Sequence, residues 1–151
     1  MHARTHLLIA MFFGFIYLRL FPDMLLIEKF IFSIFIITTS LLPDIDSPTS
    51  TLGRKHRFIA NITTHRGIFH SIWIPLAAVV LAFLYPLLKG PLMGIFIGYT
   101  AHLAADMLTV EGIKPLYPLS KEKIQGPLKT GSILETFIGA AVVMFFLVQP
   151  F

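Results

Sequence analysis

Long apolar runs dominate this sequence and decide what kind of fold it can adopt. Hydrophobic residues make up 56% of the 151 residues and charged residues only 13%, against roughly 25% charged in ordinary soluble domains. Each run is near the lower end of the ~17–25 residues that span a bilayer as a helix. The runs cover about 7–21, 24–42, 72–88, 92–108 and 133–148. We therefore predict a single all-α membrane domain over residues 1–151, an integral bundle of about five transmembrane helices.

The links between these runs predict the topology. Residues 22–23 and 89–91 form tight turns, which make the helices on either side antiparallel neighbours. The long polar loops, 43–71 and 109–132, carry most of the lysine and arginine residues. The positive-inside rule places both loops and the N-terminus in the cytoplasm, so we expect a multi-pass protein of the inner, or cytoplasmic, membrane. No small-residue cleavage site closes the first run, which favours a retained helix over a signal peptide.

Three short polar clusters interrupt the apolar sequence, and they carry the chemistry. They read Leu-Pro-Asp-Ile-Asp at 42–46, His-Arg-Gly-Ile-Phe-His at 65–70 and His-Leu-Ala-Ala-Asp at 102–106. Aspartate and neutral imidazole bind hard to borderline divalent metals, and burying them unpaired is costly. Cysteine is absent, so any metal must be held by nitrogen and oxygen. The net charge of +4 does not indicate nucleic-acid binding.

The spacing within each cluster is informative. His102 and Asp106 are four apart, so on a helix they share one face and can reach one ion, although a hydrogen-bonded His–Asp pair explains them equally well. Asp44 and Asp46 lie between prolines, and in an extended segment they would point to the same side. The alternative for that pair is an Asp-rich turn that ends the second helix. His70 is expected on the first turn of the third helix.

The predicted topology brings all the candidate ligands to one face of the membrane. His6 opens the first helix on the cytoplasmic side, and the three clusters all flank helix ends on that side. Scattered polar residues on alternating helices would instead fall on both faces. This convergence is the strongest argument from the residues alone for one metal site.

Longer stretches of the same regions resemble a known family. Leu-Leu-Pro-Asp-Ile-Asp-Ser-Pro (41–48), His-Arg-Gly-Ile-Phe-His-Ser (65–71) and Gly-Tyr-Thr-Ala-His-Leu-Ala-Ala-Asp-Met-Leu-Thr (98–109) are similar to the YdjM/YbcI-type family. That family comprises inner-membrane proteins described as metal-dependent hydrolases, some as LexA-binding. The family has a histidine matching His6, and it often has another histidine where this chain has Ser47.

The resemblance and the clusters together predict a membrane-bound metal-dependent hydrolase. One or two divalent ions (Zn, Mn, Fe or Mg) would activate a water for attack on an ester, phosphoester or amide, possible substrates including a lipid. The predicted metal ligands are His6, Asp44, Asp46, His65, His70, His102 and Asp106. Asp46 is alternatively the catalytic base, and Arg66, with Arg54 or Lys55, would hold an anionic headgroup.

Two other functions are open at this stage. One is non-enzymatic: a metal-stabilised membrane scaffold, or a protein that binds a partner, LexA-type by the family label alone. The other is metal transport, which predicts polar residues through the full depth of the helices. The outer halves of the last three runs are nearly all apolar, so transport ranks last.

Overall fold

The computed structural model describes residues 1–149, apart from the side chains of residues 51 and 60. The described residues form an all-helical fold without a β-strand, which confirms the predicted fold class; two isolated β-bridges join parts of the second long loop. The α-helices are α1 (Ala3–Leu20), α2 (Leu26–Thr39), α3 (Thr51–Lys55), α4 (Arg57–Ile62), α5 (Trp73–Leu84), α6 (Lys89–Met107) and α7 (Ile133–Val148).

Helix α6 is the centre of the bundle, with α1, α2 and α5 packed around it and α7 packed on α1. Glycines on α6 allow α2 to approach closely. A Cβ atom placed on Gly98 would lie 2.7 Å from the carbonyl oxygen of Ile36, so no larger residue fits without moving a backbone. Small residues at such interfaces are typical of helices that pack in membranes. This contact fixes the C-terminal end of α2 beside the C-terminal half of α6.

The helix ends differ from the predicted runs where polar or proline residues decide them. Helix α7 coincides with the predicted 133–148, but α1 begins four residues early, at Ala3. Helix α5 ends at Leu84 rather than at residue 88, because Pro86 disfavours helical backbone at Tyr85. A 3₁₀ turn over Pro86–Leu88 then leads into α6.

The number of membrane spans stays a prediction. Two helical stretches, Ala3–Leu20 and Leu26–Asp46, are long and apolar enough to cross a membrane. Helices α5 and α7 are apolar but shorter, with 12 and 16 residues.

The two long loops are more ordered than their polar sequences suggest. Residues 43–71 contain α3, α4 and two 3₁₀ turns, Leu42–Asp46 and Ile68–His70. In the second loop, Ile113 and Ile124 exchange backbone hydrogen bonds of 2.9 Å. The indole Nε1 of Trp73 donates to the carbonyl of Tyr117 at 2.8 Å, which ties this loop to the start of α5. Both loops therefore pack against the same end of the bundle.

Candidate metal centre

Four separate parts of the chain bring buried histidines and aspartates together at the loop end of the bundle. His6 lies on the first turns of α1, and Asp44 and Asp46 on the 3₁₀ turn after α2. His70 lies on the 3₁₀ turn before α5, and His102 and Asp106 on the last turns of α6. Those with side chains at most 1% exposed are His6, Asp46, His70, His102 and Asp106.

Four of these side chains surround one point. Asp44 Oδ1 lies 3.9 Å from His70 Nε2 and 3.8 Å from His102 Nε2. Asp106 Oδ2 lies 3.5 Å from His70 Nε2 and 3.8 Å from His102 Nε2. Ligand atoms 2.0–2.1 Å from a zinc ion at the corners of a tetrahedron lie roughly 3.4 Å apart. The four observed separations, 3.5–3.9 Å, are slightly longer than that value, so these atoms lie within reach of a shared ion.

His6 adds a fifth group to the same cluster. Its ring stacks on that of His102, with centroids 3.8 Å apart and planes at 11°, and its Nε2 lies 3.3 Å from Asp106 Oδ1. Two sets of three residues each have ligand atoms within 4.8 Å of one another, His6–Asp44–His102 and His70–His102–Asp106. Because His102 belongs to both sets, the five residues suit one ion with five ligands or two adjacent ions.

The buried atoms at the centre lack hydrogen-bond partners. Within the described residues, the orphaned side-chain atoms are His6 Nδ1 and Nε2, His70 Nε2, His102 Nε2 and Asp106 Oδ2. Each buried polar atom left unpaired costs about 1–3 kcal/mol. All five belong to ligand-type side chains, and four of them point into the cluster described above. A divalent cation would satisfy those four together, so the donor set fits a metal ion.

Hydrogen bonds on the far sides of two rings fix which nitrogen faces the cluster. His102 Nδ1 donates to the carbonyl of Ser40 at 2.7 Å, since a carbonyl can only accept. His70 Nδ1 donates to Asp46 Oδ2 at 3.1 Å. Each ring therefore presents an Nε2 lone pair to the centre when it is neutral. Metal-binding histidines are commonly oriented in this way by a carbonyl or a carboxylate.

Asp46 stands behind the histidines rather than among the ligand atoms. It is fully buried, and its Oδ1 accepts from His65 Nδ1 at 2.9 Å. Its Oδ2 accepts from His70 Nδ1 and, at 3.0 Å, from the backbone N–H of Arg66. Both oxygens are therefore engaged. The predicted roles of Asp46 and His65 as ligands, and of Asp46 as a base, stay predictions.

The expected extended geometry of the Asp44–Asp46 segment is wrong. The residues lie on a 3₁₀ turn with Pro43 at its start, and their side chains diverge. Asp44 faces the cluster with its side chain 21% exposed, whereas Asp46 is buried beneath the turn of residues 65–70. His70 likewise lies on a 3₁₀ turn before α5 rather than on the helix itself.

Arg66 is held against the cluster by its backbone and its side chain. Its φ of +57° is a left-handed conformation that non-glycine residues rarely adopt. Its Nη1 donates to the carbonyl of Gly112 at 2.5 Å, and its Nη2 lies 3.1 Å from Asp106 Oδ2. The α-amino group of Met1 also contacts Asp106, at 2.9 Å from Oδ1. Asp106 is thus the acceptor on which several groups converge.

The other two predicted substrate-binding residues lie elsewhere. Arg54 and Lys55 are exposed on α3. A cavity of about 410 Å³ opens beside Asp44 and Arg66, and neither Arg54 nor Lys55 lines it.

The electrostatics of His70 follow from its neighbours. Burial opposes the charged form, but the carboxylates of Asp106 and Asp46 outweigh it and raise the pKa of His70 to about 9. Without a metal the ring is therefore protonated on both nitrogens and positively charged at neutral pH. Metal binding at Nε2 has to release that proton, as is usual when a histidine becomes a ligand.

Sequence reasoning missed the backbone groups that set this geometry. The carbonyls of Ser40 and Gly112 orient His102 and Arg66, and backbone groups leave no signature in residue identity. It also missed Ser47, Thr49 and Glu111, which line the adjacent cavity. The hydroxyls follow directly after Asp46, so their proximity to that residue was the available signal.

The chain is similar to known inner membrane proteins. The family model described as YdjM inner membrane protein matches residues 1–150. The chain is 34% identical over 127 residues to Inner membrane protein YdjM of Escherichia coli (strain K12), covering 76% of this chain and 64% of the relative. Inner membrane protein YdjM of Shigella flexneri matches to the same extent.

A protein of Bacillus subtilis is also similar to this chain. The chain is 33% identical over 111 residues to Uncharacterized protein YvsG of Bacillus subtilis (strain 168), covering 70% of this chain and 69% of the relative. The chain thus spans somewhat under two thirds of the YdjM proteins it matches. No solved structure matches it. Since the family model covers nearly the whole chain, the protein belongs to the YdjM inner membrane protein family.

Proposed function

We propose that this protein is a membrane-bound metal-dependent hydrolase with a single metal centre at the loop end of its helical bundle. One observation supports this most directly: buried Nε2 atoms of His6, His70 and His102 surround Asp106 without hydrogen-bond partners. A closed hydrogen-bond network would have paired these atoms, because natural proteins rarely leave buried polar groups unsatisfied.

The side chains divide into ligands and supporting groups. Asp44, His70, His102 and Asp106 would hold the ion, and His6 would complete or extend the site. Asp46 is a positioning residue that orients His65 and His70. When bound, a divalent cation supplies an activated water and a Lewis acid for attack on an ester, phosphoester or amide.

Exposure of Asp44 gives this site the character of a catalytic rather than a purely structural centre. Its side chain is 21% exposed toward a solvent-connected cavity, whereas the other four cluster side chains are at most 1% exposed. A catalytic metal keeps one position open to water or substrate, whereas a structural metal is closed on all sides. The cavity beside Asp44 would provide that open position.

The outer surface of the bundle supports a multi-pass membrane protein. Large apolar side chains on α2, α5 and α7 point outward, and Leu26, Phe83 and Leu147 are 85%, 82% and 74% exposed. Soluble monomers rarely leave so many such residues uncovered. We place α1, α2, α5, α6 and α7 across the membrane, with the N-terminus, both long loops and the metal centre on the cytoplasmic side.

Elemental analysis of the detergent-purified chain tests the proposal. We expect near-stoichiometric Zn, Mn or Fe in the wild type and none in Asp44→Ala or His102→Ala. Purified protein that takes up metal is then incubated with lipid extracts and with soluble esters, phosphoesters and amides. Failure to retain any of these ions, even after reconstitution, would refute the hydrolase proposal.

A second candidate is a non-enzymatic scaffold or partner-binding protein. It is favoured by the Arg66 guanidinium, 3.1 Å from Asp106 Oδ2, which neutralises part of the cluster without a metal. Under this alternative the cluster holds α1, α6 and the 65–70 turn together, and a protein partner of LexA type would bind the loop face. Metal uptake without turnover of any substrate class would favour it.

A further inference from the structure

The cavity beside the cluster has a composition that indicates what it binds. We propose that it receives the phosphate group of a phosphoester, with Arg66 as the anchoring side chain. This inference rests on the proposed function, and it narrows the substrate from three classes of compound to one.

The cavity is the route from solvent to the cluster. Its volume is about 410 Å³, and its walls come from residues 1–3, 44, 47, 49–50, 65–66, 111 and 130. Asp44, the one partly exposed carboxylate of the cluster, is part of the lining. A group that enters this space therefore reaches Asp44 and Arg66.

Arg66 presents a fixed guanidinium to the cavity. The guanidinium has five N–H donors, and the contacts to Gly112 and Asp106 use one donor on each terminal nitrogen, which leaves three. The side chain is 17% exposed and lines the cavity, so further donors are accessible there. A planar guanidinium fork matches two phosphate oxygens, which is why arginine is preferred over lysine at such sites. The left-handed backbone of Arg66 commits this residue to a position that most side chains avoid.

Further donors come from the segment after Asp46. Ser47 Oγ and Thr49 Oγ1 lie 3.1 Å apart, so only one of their two hydroxyl protons is used between them. His65 donates Nδ1 to Asp46, and its half-exposed ring also lines the cavity. Donors from two separate segments suit a group with several oxygens, as phosphate has, better than the single carbonyl oxygen of a carboxylic ester or amide.

Two features of the lining limit the chemistry of the rest of the ligand. Met1 and Ala3 are the apolar residues among those that line the cavity, and the remaining lining residues are polar or charged, so the cavity suits a polar headgroup better than an acyl chain. Glu111 also lines it, but this carboxylate is exposed and accepts from Thr130 Oγ1 at 3.3 Å. Its repulsion of an anion is therefore screened by water and salt. The phosphate can belong to a lipid headgroup or to a soluble phosphoester, since both present the same oxygens.

The test uses the full chain in detergent, loaded with Mn²⁺, and inorganic phosphate as the probe. Paramagnetic broadening of the ³¹P resonance reports phosphate bound near the ion and does not depend on turnover. We expect Arg66→Lys to weaken phosphate binding about tenfold, because the charge stays but the fork is lost. Thr49→Val keeps the side-chain shape and removes one donor, and it should weaken binding about threefold. Arg57→Lys, on an exposed arginine outside the cavity, is the matched control and should change nothing.

Three results separate the possible failures. A chain that takes up no Mn²⁺ refutes the proposed function itself. If the chain takes up Mn²⁺ but binds acetate as tightly as phosphate, only this inference is refuted. The same holds if Arg66→Lys and Thr49→Val both bind phosphate as tightly as the wild type does. Competition by glycerol phosphate against short-chain phosphatidic acid then identifies the source, because the better competitor carries the preferred headgroup.

Discussion

Two buried carboxylates lie near the N-terminal end of α1, and their surroundings differ in one respect. Glu135, 3% exposed, accepts four hydrogen bonds: from the backbone N–H groups of His2 and Gly131, both at 2.7 Å, from Thr5 Oγ1 at 2.8 Å and from His2 Nδ1 at 3.2 Å. Asp106, 1% exposed, is bordered by three imidazoles. Its Oδ1 accepts from the α-amino group of Met1, and its Oδ2 lies 3.1 Å from Arg66 Nη2 as an ion pair without a well-formed hydrogen bond.

The difference separates a structural carboxylate from a candidate ligand. Glu135 joins the start of α7 to the start of α1, and every donor around it is a backbone, hydroxyl or ring N–H aimed at an oxygen. Around Asp106, the Nε2 atoms of His6, His70 and His102 lie 3.3, 3.5 and 3.8 Å from a carboxylate oxygen without a well-formed hydrogen bond. Burial of a charge alone therefore does not indicate a functional site. Side-chain nitrogen and oxygen atoms without hydrogen-bond partners, grouped around one point, indicate a candidate metal site.

The strongest test of this comparison exchanges each carboxylate for its amide. We expect Asp106→Asn to lose bound metal during purification, because the variant removes the one charged ligand buried at the centre. Glu135→Gln should retain as much metal as the wild type, since no candidate ligand contacts Glu135. The measurement is the metal content per chain of the two variants, by elemental analysis. Equal metal content in both variants would contradict the distinction drawn here.

The second prediction concerns Asp46, the carboxylate that accepts hydrogen bonds from His65 and His70. We expect Asp46→Asn to weaken metal affinity about 10–100-fold, the usual effect of removing a supporting group, while full occupancy is still reached at high metal concentration. Competition with a chelator of known affinity measures the change. If Asp46 is itself a ligand or bridges two ions, the variant will instead fail to reach the wild-type stoichiometry.

The third prediction addresses Glu135 as a stabilising contact. Glu135→Gln replaces charge-assisted hydrogen bonds by weaker ones and leaves two N–H groups competing for one oxygen, so it should lower the free energy of unfolding by about 2 kcal/mol. The loss should be the same with and without metal. Glu122→Gln, on an exposed loop residue, is the control and should have no effect. A loss that appears only in the metal-loaded protein would place Glu135 in the metal site.

The comparison also explains what the sequence could predict. Apolar runs locate the helices well where lipid and core contacts decide the boundaries, and the bounds of α7 follow from them. Helix α1 starts earlier than its apolar run because Thr5 and His6 face buried partners at its first turns. Polarity alone makes these residues look like part of a loop. The contact with Glu135, 130 residues away, has no local signal.

The roles within the cluster depend on backbone direction, which residue identity does not encode. Ligand chemistry and the family resemblance single out Asp44 and Asp46 equally, yet the 3₁₀ turn sends one toward the centre and the other behind His70. The tautomer of His102 depends on the carbonyl of Ser40, whose position is set by the close contact of α2 with Gly98. These assignments therefore need three-dimensional packing.

The smallest effect on metal affinity is expected for a substitution of His65. This substitution tests where the metal site ends. Its ring is 47% exposed and meets the cluster through Asp46 and, edge to face, through the ring of His70, with centroids 5.9 Å apart. His65→Ala removes one of three donors to the Asp46 carboxylate. His70 and the Arg66 backbone still hold Asp46 in place. We expect metal affinity to fall less than about tenfold, since one hydrogen bond to a charged group is at stake and water can replace it. His56→Ala, on an exposed histidine outside the cavity lining, is the matched control. A loss of metal as complete as that expected in Asp106→Asn would indicate that His65 is a ligand. The centre would then extend outward from His6, Asp44, His70, His102 and Asp106.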